Sequence, residues 1–435
     1  MKYDETVAYL YGLQQHGMKF GLDNITKLLS AAGNPQRTFR AVHVCGTNGK
    51  GSTAAMIESI LKTSGVTTGL FTSPHLVSFT ERIRINGEEI REEDVVALAG
   101  EVRQIAERIE EFSPTFFEVV TAMAFLYFER RNVDWAVVEV GLGGRLDATN
   151  LLMPEATVIT AIGYDHCEFL GKTLGEIAGE KAGIIKNGVP VITAAQRPEA
   201  GEVIEKRAAE KGCRLFRYGE EFTAQLLSLS PWDIRFHYTG AGDYEDIQLP
   251  LAGVHQMDNA AMAIKTKEVI SEKYRELQCD IGKGLAAVKW PGRLEMARND
   301  PPTLIDGAHN PHAALALSRY LQEVLAGRYQ RIILIAGIMA DKDIDGILNP
   351  LLPLSSEVIF ASPAYGRAAR ADILAARAAA GGCSSRTAGS VSEALLMAEG
   401  LWRPGDLIVV TGSFYTIGEA KEALGAKGVL TRLRE

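Results

Sequence analysis

Val42-His43-Val44-Cys45-Gly46-Thr47-Asn48-Gly49-Lys50-Gly51-Ser52-Thr53 runs from an apolar strand through a glycine-rich turn into a helical pattern. Glycines let backbone N–H groups turn toward a phosphate, and a helix N-terminus adds partial positive charge. Lys50 supplies a point charge, and Ser52 or Thr53 can reach a metal. The run Gly46, Thr47, Asn48, Gly49, Lys50, Gly51 and Ser52 therefore reads as a cradle for a nucleoside triphosphate. Its spacing departs from the general phosphate-loop pattern, since two residues separate Gly46 from Gly49 and Gly51 intervenes between Lys50 and Ser52. Taken alone, the motif is equally readable as an ordinary strand-to-helix turn. The strand before it, the helix after it and its partners downstream favour the phosphate cradle.

Outward from this turn, apolar runs alternate with helical patterns, the signature of parallel α/β sheets. Strands are expected at Ala41 to Cys45, Thr68 to Phe71, Trp135 to Val140, Thr157 to Ile162 and Val189 to Thr193. From about Arg214 to Leu251 the runs are short and separated by Gly and Asp, which predicts a small antiparallel appendage. A helix is expected to start near Asp258. The proline-rich stretch WPGRLEMARNDPPT after Lys289 predicts a hinge. Beyond it TLID, RIILIAGI, EVIFAS and DLIVVTGS read as strands, and HAALALSRYLQEVL as an amphipathic helix. The fold class is thus α/β, with an N-terminal P-loop ATPase-like domain over residues 1–295 and a C-terminal Rossmann-like domain over residues 296–435. A chain of 435 residues also exceeds the size at which one core keeps growing.

A net charge of -8 argues against nucleic-acid binding, which requires clustered cations to displace counterions. Any anionic substrate must be held by a local site. The five cysteines form no CxxC pair, so neither a disulfide framework nor a cysteine zinc site is indicated. MKYDETVAYLYGLQQHG lacks the pattern of a leader, and no stretch is long and apolar enough to span a bilayer. A cytoplasmic protein with small-molecule partners is expected, with neither nucleic acid nor membrane among them, and a monomer.

Strand ends supply candidate metal ligands. Glu139 closes WAVVEV, the glycine-rich turn GLGGRLDATN follows it, and Asp165-His166 closes TVITAIGY. By itself a Glu at a strand end reads as solvated or salt-bridged, and a lone His as structural. Beside a phosphate loop in a doubly wound sheet, Glu139 and His166 are placed to hold magnesium at the nucleotide phosphates. The Glu180-Lys181 pair, read from residues alone, is a solvent-facing helix surface.

These motifs resemble those of the bacterial folylpolyglutamate synthase/dihydrofolate synthase family, in the Mur ligase superfamily. The matching stretches are GTNGKGST at Gly46, SPHLVSFTERIRING at Ser73, VVEVGLGGRLDATN at Val137, DHCEFLGKT at Asp165, GEKAGIIK at Gly179, PGRLE at Pro291, DGAHNPHA at Asp306 and TGSFYTIGE at Thr411. They span nearly the whole chain in the family's order.

The resemblance implies an ATP- and magnesium-dependent carboxylate–amine ligase that adds L-glutamate to dihydropteroate, to folates such as tetrahydrofolate, or to both, through an acyl phosphate. It implies that Ser73, Glu139 and His166 serve magnesium, and that Lys181 is carbamylated and orients a second ion. Asn259, Arg293 and Asp306 resemble ATP-binding positions, with His309 close by in sequence. Arg293 would clamp phosphate and Asp306 would reach the nucleoside. The loop from Ser73 to Gly87, with Arg82 and Arg84, resembles the segment that closes over the pterin-bearing substrate. Phe117, Glu118, Arg145 and Asp147 resemble its pocket wall. Catalytic roles then fall to Lys50, His166, Lys181 and Arg293. Cys167-Glu168-Phe169 departs from the family, where polar or different aromatic residues are common, and this bears on the preferred folate form.

Two rival readings make different demands. A cell-wall nucleotide-peptide ligase would share the ATP chemistry but does not account for SPHLVSFTERIRING. A P-loop switch ATPase leaves the second domain and GLGGRLDATN unexplained.

Overall fold

The computed structural model describes residues 2–13 and 21–426. Residues 1 and 14–20, which include part of the stretch read above for a leader, and residues 427–435, the end of the second expected domain, lie outside the described residues.

The first sheet comprises β1 Arg40–Cys45, β2 Thr68–Phe71, β3 Ile83–Ile85, β4 Glu88–Glu89, β5 Trp135–Glu139, β6 Ala156–Ile159, β7 Val191–Thr193 and β8 Leu215–Arg217. Its order is β4-β3-β2-β5-β1-β6-β7-β8. Every pairing from β2 to β8 is parallel, while β3 and β4 form an antiparallel edge. The near-continuous apolar runs of β1 and β5 follow from this position, because helices cover both faces. Alternation then sorts the side chains. Val42, Val44 and Val137 join one apolar cluster with the helix Lys50–Lys62, whereas Ala41, Ala136 and Val138 join another with the helix Phe116–Arg130.

An antiparallel sheet of β9 Thr223–Leu229, β10 Ile234–Thr239 and β11 Asp243–Leu249 follows. The appendage read from the sequence is therefore present, but its first run, β8, belongs to the edge of the main sheet. Ile234, Phe236 and Tyr238 on one face of β10 pack against the helix His255–Lys273, which starts before the expected Asp258. Glu268 of this helix is buried. It accepts the Tyr238 hydroxyl at 2.9 Å, the Lys265 ammonium at 3.0 Å and the amides of Ala241 and Gly242 at 3.2 and 2.7 Å.

The second sheet comprises β12 Glu295–Asn299, β13 Pro302–Ile305, β14 Arg331–Ala336, β15 Glu357–Ala361, β16 Arg386–Ala388 and β17 Asp406–Thr411, in the order β12-β13-β17-β14-β15-β16. Only β12 runs antiparallel to its neighbour. Part of the stretch read as a hinge is thus a strand: Glu295 already pairs with Ile305. The short β16 was not foreseen. The expected strand Thr157 to Ile162 ends at Ile159, and beyond it the Ala161 carbonyl accepts the amides of Thr47 and Asn48 at 3.0 and 3.1 Å. Asp165 and His166 consequently lie in a loop beyond the strand end.

Removing the Glu268 carboxylate leaves the Lys265 ammonium buried without its counter-ion, a loss of about 3–5 kcal/mol. Glu268→Ala is expected to lower the urea midpoint accordingly, and an unchanged midpoint would remove this network from the account of stability.

Candidate active site

The carboxyl ends of both sheets face a cavity of 1410 Å³, where ligands sit in open α/β folds. The phosphate loop forms its floor. Gly46 has φ 144°, and a Cβ there would lie 1.9 Å from the Thr160 hydroxyl oxygen. Gly49, at φ 90°, approaches Asn259 so closely that a Cβ would lie 2.4 Å from its amide oxygen. The loop's first amides are occupied by Ala161. Those of Lys50, Gly51 and Ser52 belong to the first turn of the helix Lys50–Lys62, where no intrahelical carbonyl is available. They are free to meet phosphate oxygens. Lys50 curls back over the loop, with Nζ 3.2 Å from the Thr47 carbonyl.

β5, adjacent to β1, delivers Glu139 beside this loop, with Val44 as its register partner. Glu139 is buried and accepts the Ser73 amide at 3.0 Å. Burial raises its pKa, while Lys50, the Ser73 amide, Arg293 and Arg82 work against that rise. The following glycine-rich turn is organised from within. Asp147 accepts the Leu142 amide at 2.9 Å, the Thr149 amide at 3.0 Å and the Thr149 hydroxyl at 2.5 Å. With its hydroxyl proton committed to that carboxylate, Thr149 accepts from His43 Nε2 at 2.8 Å. The imidazole is therefore the neutral tautomer protonated at Nε2, and burial lowers its pKa to about 3.

Gly144 seats this turn on the helix Leu174–Ala182: a Cβ would lie 2.8 Å from the Glu180 carbonyl oxygen and 2.9 Å from that of Lys181. The contact draws Lys181 inward. It is 5% exposed, not the surface residue read from the local pattern, and its Nζ donates to the Gly46 carbonyl at 2.9 Å. Burial lowers its pKa to about 8. His166, at φ 51°, is held neutral by burial, with a pKa of about 4. Burial alone would raise the neighbouring Asp165, but His309, His166 and Lys342 drive it well below the usual carboxylate range. The Lys342 ammonium lies 2.5 Å from Asp165 and 3.5 Å from His166 Nε2, and His309 Nε2 lies 3.4 Å from Asp165.

From the second sheet's side, Arg293 packs over Phe414 at 4.3 Å. Asp306 accepts the amides of Leu294 at 3.0 Å and Ala308 at 2.9 Å, which ties the two sides of its loop together. The remaining expected residues line the cavity's far wall. Arg82 donates from Nε to His75 at 2.7 Å and lies over Phe116 at 5.3 Å. Phe117 packs against Gly141, where a Cβ would be 2.5 Å away. Glu118 accepts the Thr115 amide at 2.7 Å in a capping box, and Arg145 pairs with Glu180 at 2.9 Å. Every expected site residue borders this one cavity except Thr53, which is fully buried away from it. The hydrogen bonds of Asp147 and Glu118 are, however, spent on loop and helix architecture.

Among the described residues no three His, Cys, Asp or Glu side chains form a ready metal cluster. The donors present, the Glu139 carboxylate and the Ser73 hydroxyl with a neutral His166 nitrogen, suit a hard ion.

Residues 44–266 match the Mur ligase middle domain and residues 292–414 the glutamate ligase domain of Mur ligases. The chain is 37% identical to the dihydrofolate synthase/folylpolyglutamate synthase of Bacillus subtilis, covering 97% of this chain and 99% of that protein. The chain belongs to this family of ligases. Among solved structures it superposes on folylpolyglutamate synthase of Mycobacterium tuberculosis complexed with ADP, with a TM-score of 0.91, 34% identity and 98% and 100% of the two chains covered. An FPGS–AMPPCP–folate complex matches with a TM-score of 0.85, 37% identity and coverage of 98% and 100%.

Asn310 beside the cavity, and Lys342, Tyr365 and Tyr415 in its wall, escaped the sequence reading. Asn48 exchanges side-chain hydrogen bonds with Asn310 at 2.9 and 3.3 Å, so the phosphate loop touches the second domain directly. Tyr365 and Tyr415 stack at 4.0 Å beside Arg367. Lys342 had one usable signal, its place just past the carboxyl end of RIILIAGI.

The folded-state pKa of His43 lies below its unfolded value of about 6.5, so its contribution is complete above pH 6.5 and is lost as pH falls toward 3. Between pH 7 and pH 5 this removes about 2 kcal/mol. Urea unfolding at the two pH values should register that loss, and His43→Asn should flatten it; an equally steep dependence in the variant would assign the loss elsewhere.

Proposed function

We propose that this chain is an ATP- and magnesium-dependent ligase that joins L-glutamate to the carboxylate of dihydropteroate, of tetrahydrofolate and its glutamylated forms, or of both. The observation that carries this reading is the convergence of three features on one cavity: the phosphate loop, the Glu139–Ser73 pair and the loop bearing Arg82. Relatives named for both activities support it, as does a related structure holding both a nucleotide analogue and folate. The reading extends to a monomeric, cytoplasmic enzyme without nucleic-acid or membrane partners. Its acidic charge supports this, together with five free cysteines and, among the described residues, no helix long and apolar enough to cross a membrane. We propose residues 1–295 and 296–435 as the two working units.

A carboxylate is a poor electrophile and must be given a leaving group. Its oxygen attacks the γ-phosphorus of ATP, the bond to the bridging oxygen breaks, and ADP departs from an acyl phosphate. The glutamate amine then attacks the acyl carbon, forming the amide as inorganic phosphate leaves and the nitrogen loses its proton. Such chemistry depends on positioning and charge compensation. Lys50 and the amides of Lys50, Gly51 and Ser52 would hold the phosphates, and Arg293 would add a second cation from the other side. Arg82, buried in the pocket wall, would meet the acceptor's anionic end. Asn259 and Asp306, with His309 nearby, would complete the nucleotide's surroundings. Phe117, Glu118, Arg145 and Asp147 would shape the acceptor pocket.

One magnesium would be held by Ser73 and Glu139, and a second by Glu139, His166 and carbamylated Lys181. The bound ions would supply charge neutralisation at the phosphate oxygens. Carbamylation fits the setting of Lys181, since burial favours the neutral amine, the form whose nitrogen adds carbon dioxide with loss of a proton. Closure of the two domains would keep water from the acyl phosphate.

Phosphate release from ATP with magnesium and glutamate tests the reading, with dihydropteroate, tetrahydrofolate and a cell-wall nucleotide compared as acceptors. Release with either pterin is expected; activity with the nucleotide alone would overturn the folate assignment. Lys181→Ala is expected to lose about 100-fold or more in turnover and to recover part of it with added small carboxylic acids. Normal turnover in that variant would count against the carbamate.

A further inference from the structure

The segment that carries Arg82 into the cavity belongs by sequence to the first domain, yet two of its apolar side chains are buried in the second. Leu76 and Val77 are 6% and 5% exposed and pack in one cluster with Ile305, Ile335, Val410 and Ile417. The fit leaves no slack. A Cβ on Gly418, in the last described helix Phe414–Ala423, would lie 2.2 Å from the Leu76 carbonyl oxygen. One on Gly292 would lie 2.9 Å from the Leu76 side chain. A backbone oxygen cannot swing aside as a flexible side chain can, so the contact at Gly418 fixes the loop itself.

Within the loop, one carboxylate sets the shape. Glu81 accepts three successive amides, from Leu76 at 2.8 Å, Val77 at 2.8 Å and Ser78 at 2.7 Å. Its chain neighbour Arg82 follows rigidly, buried over Phe116 and hydrogen-bonded to His75. The second domain thus grips Leu76 and Val77, Glu81 ties those residues to its own position, and Arg82 is placed by the result. Val77 and Gly418 themselves lie outside the cavity lining.

We propose that Val77 and Gly418 are positioning residues for acceptor binding: docking of the second domain on the loop sets where Arg82 meets the anionic end of a pteroyl acceptor. The inference rests on the pteroyl-carboxylate reading above. It bears unequally on the two substrates, because Arg82 lies within this contact whereas the phosphate loop that carries Lys50 lies outside it.

Gly418→Ala tests it from the second domain and Val77→Ala from the loop, so that a folding failure in one leaves the other. The expected result in both is an acceptor KM raised about tenfold, ADP affinity unchanged within about twofold, kcat lowered far less than kcat/KM, and faster amide exchange at Leu76, Val77 and Ser78. An unchanged acceptor KM in both variants overturns the proposal, as does an ADP affinity that falls in step with it, which would signal a general loss of packing. Absence of turnover by the unmodified chain with every pteroyl acceptor would instead defeat the functional reading. In that event the amide exchange still decides the grip, which unchanged protection in both variants would refute.

Discussion

The closest constraint in the molecule is the approach of the phosphate loop to its own sheet and to the helix His255–Lys273. At Gly46 and Gly49 the backbone runs where a β-carbon would collide with Thr160 or Asn259, and both residues have positive φ. The consequence is chemical as well as steric. Early loop amides are consumed by the Ala161 carbonyl, which fixes the turn. The later ones, at the start of the helix Lys50–Lys62, remain directed at the cavity with the partial charge of that helix end. β1 in the middle of the sheet, between β5 and β6, provides the rigid support that such a turn requires. The groups at the ends of those two neighbours then arrive at the same place.

Around this turn the protein concentrates buried charge of both signs. Glu139, Lys181, Arg82 and Asp306 are buried and Arg293 is half-buried, and desolvation works against the charged form of each. Such an arrangement carries an unfavourable desolvation. The supporting hydrogen bonds are correspondingly strict: Asp147 holds the glycine-rich turn through three donors, and His43 secures the third of those donors from beneath. Neither residue needs to touch a substrate for the cavity to depend on it.

Much of this was legible in the sequence because the deciding signals are local. Buried parallel strands announce themselves as apolar runs, and β1, β2, β5, β14, β15 and β17 lie close to where those runs fall. Residues at the ends of such runs, Glu139 above all, could be assigned to the cavity by topology alone. What escaped the reading depends on contacts between segments remote in sequence. Lys181 looks like a surface residue until Gly144 pulls its helix against the turn. β16 is too short and too exposed to carry a pattern. β12 hides in a proline-rich stretch because it is an edge strand with half-buried side chains. The roles of Lys342 and Asn310 require two domains to meet, which no local pattern encodes.

That meeting uses two different kinds of contact. Around the phosphate loop and beyond it the domains touch through polar groups: Asn48 with Asn310, Lys342 with Asp165, and the Tyr320 hydroxyl on the Pro231 carbonyl at 2.6 Å. Neutral bonds such as that of Asn48 with Asn310 exchange for water at little net cost, whereas the Lys342–Asp165 pair is charged and nearly buried. On the acceptor side the contact is apolar. Leu76 and Val77 lose their packing outright if the second domain withdraws, and buried side chains of this size contribute about 1.5–3 kcal/mol each.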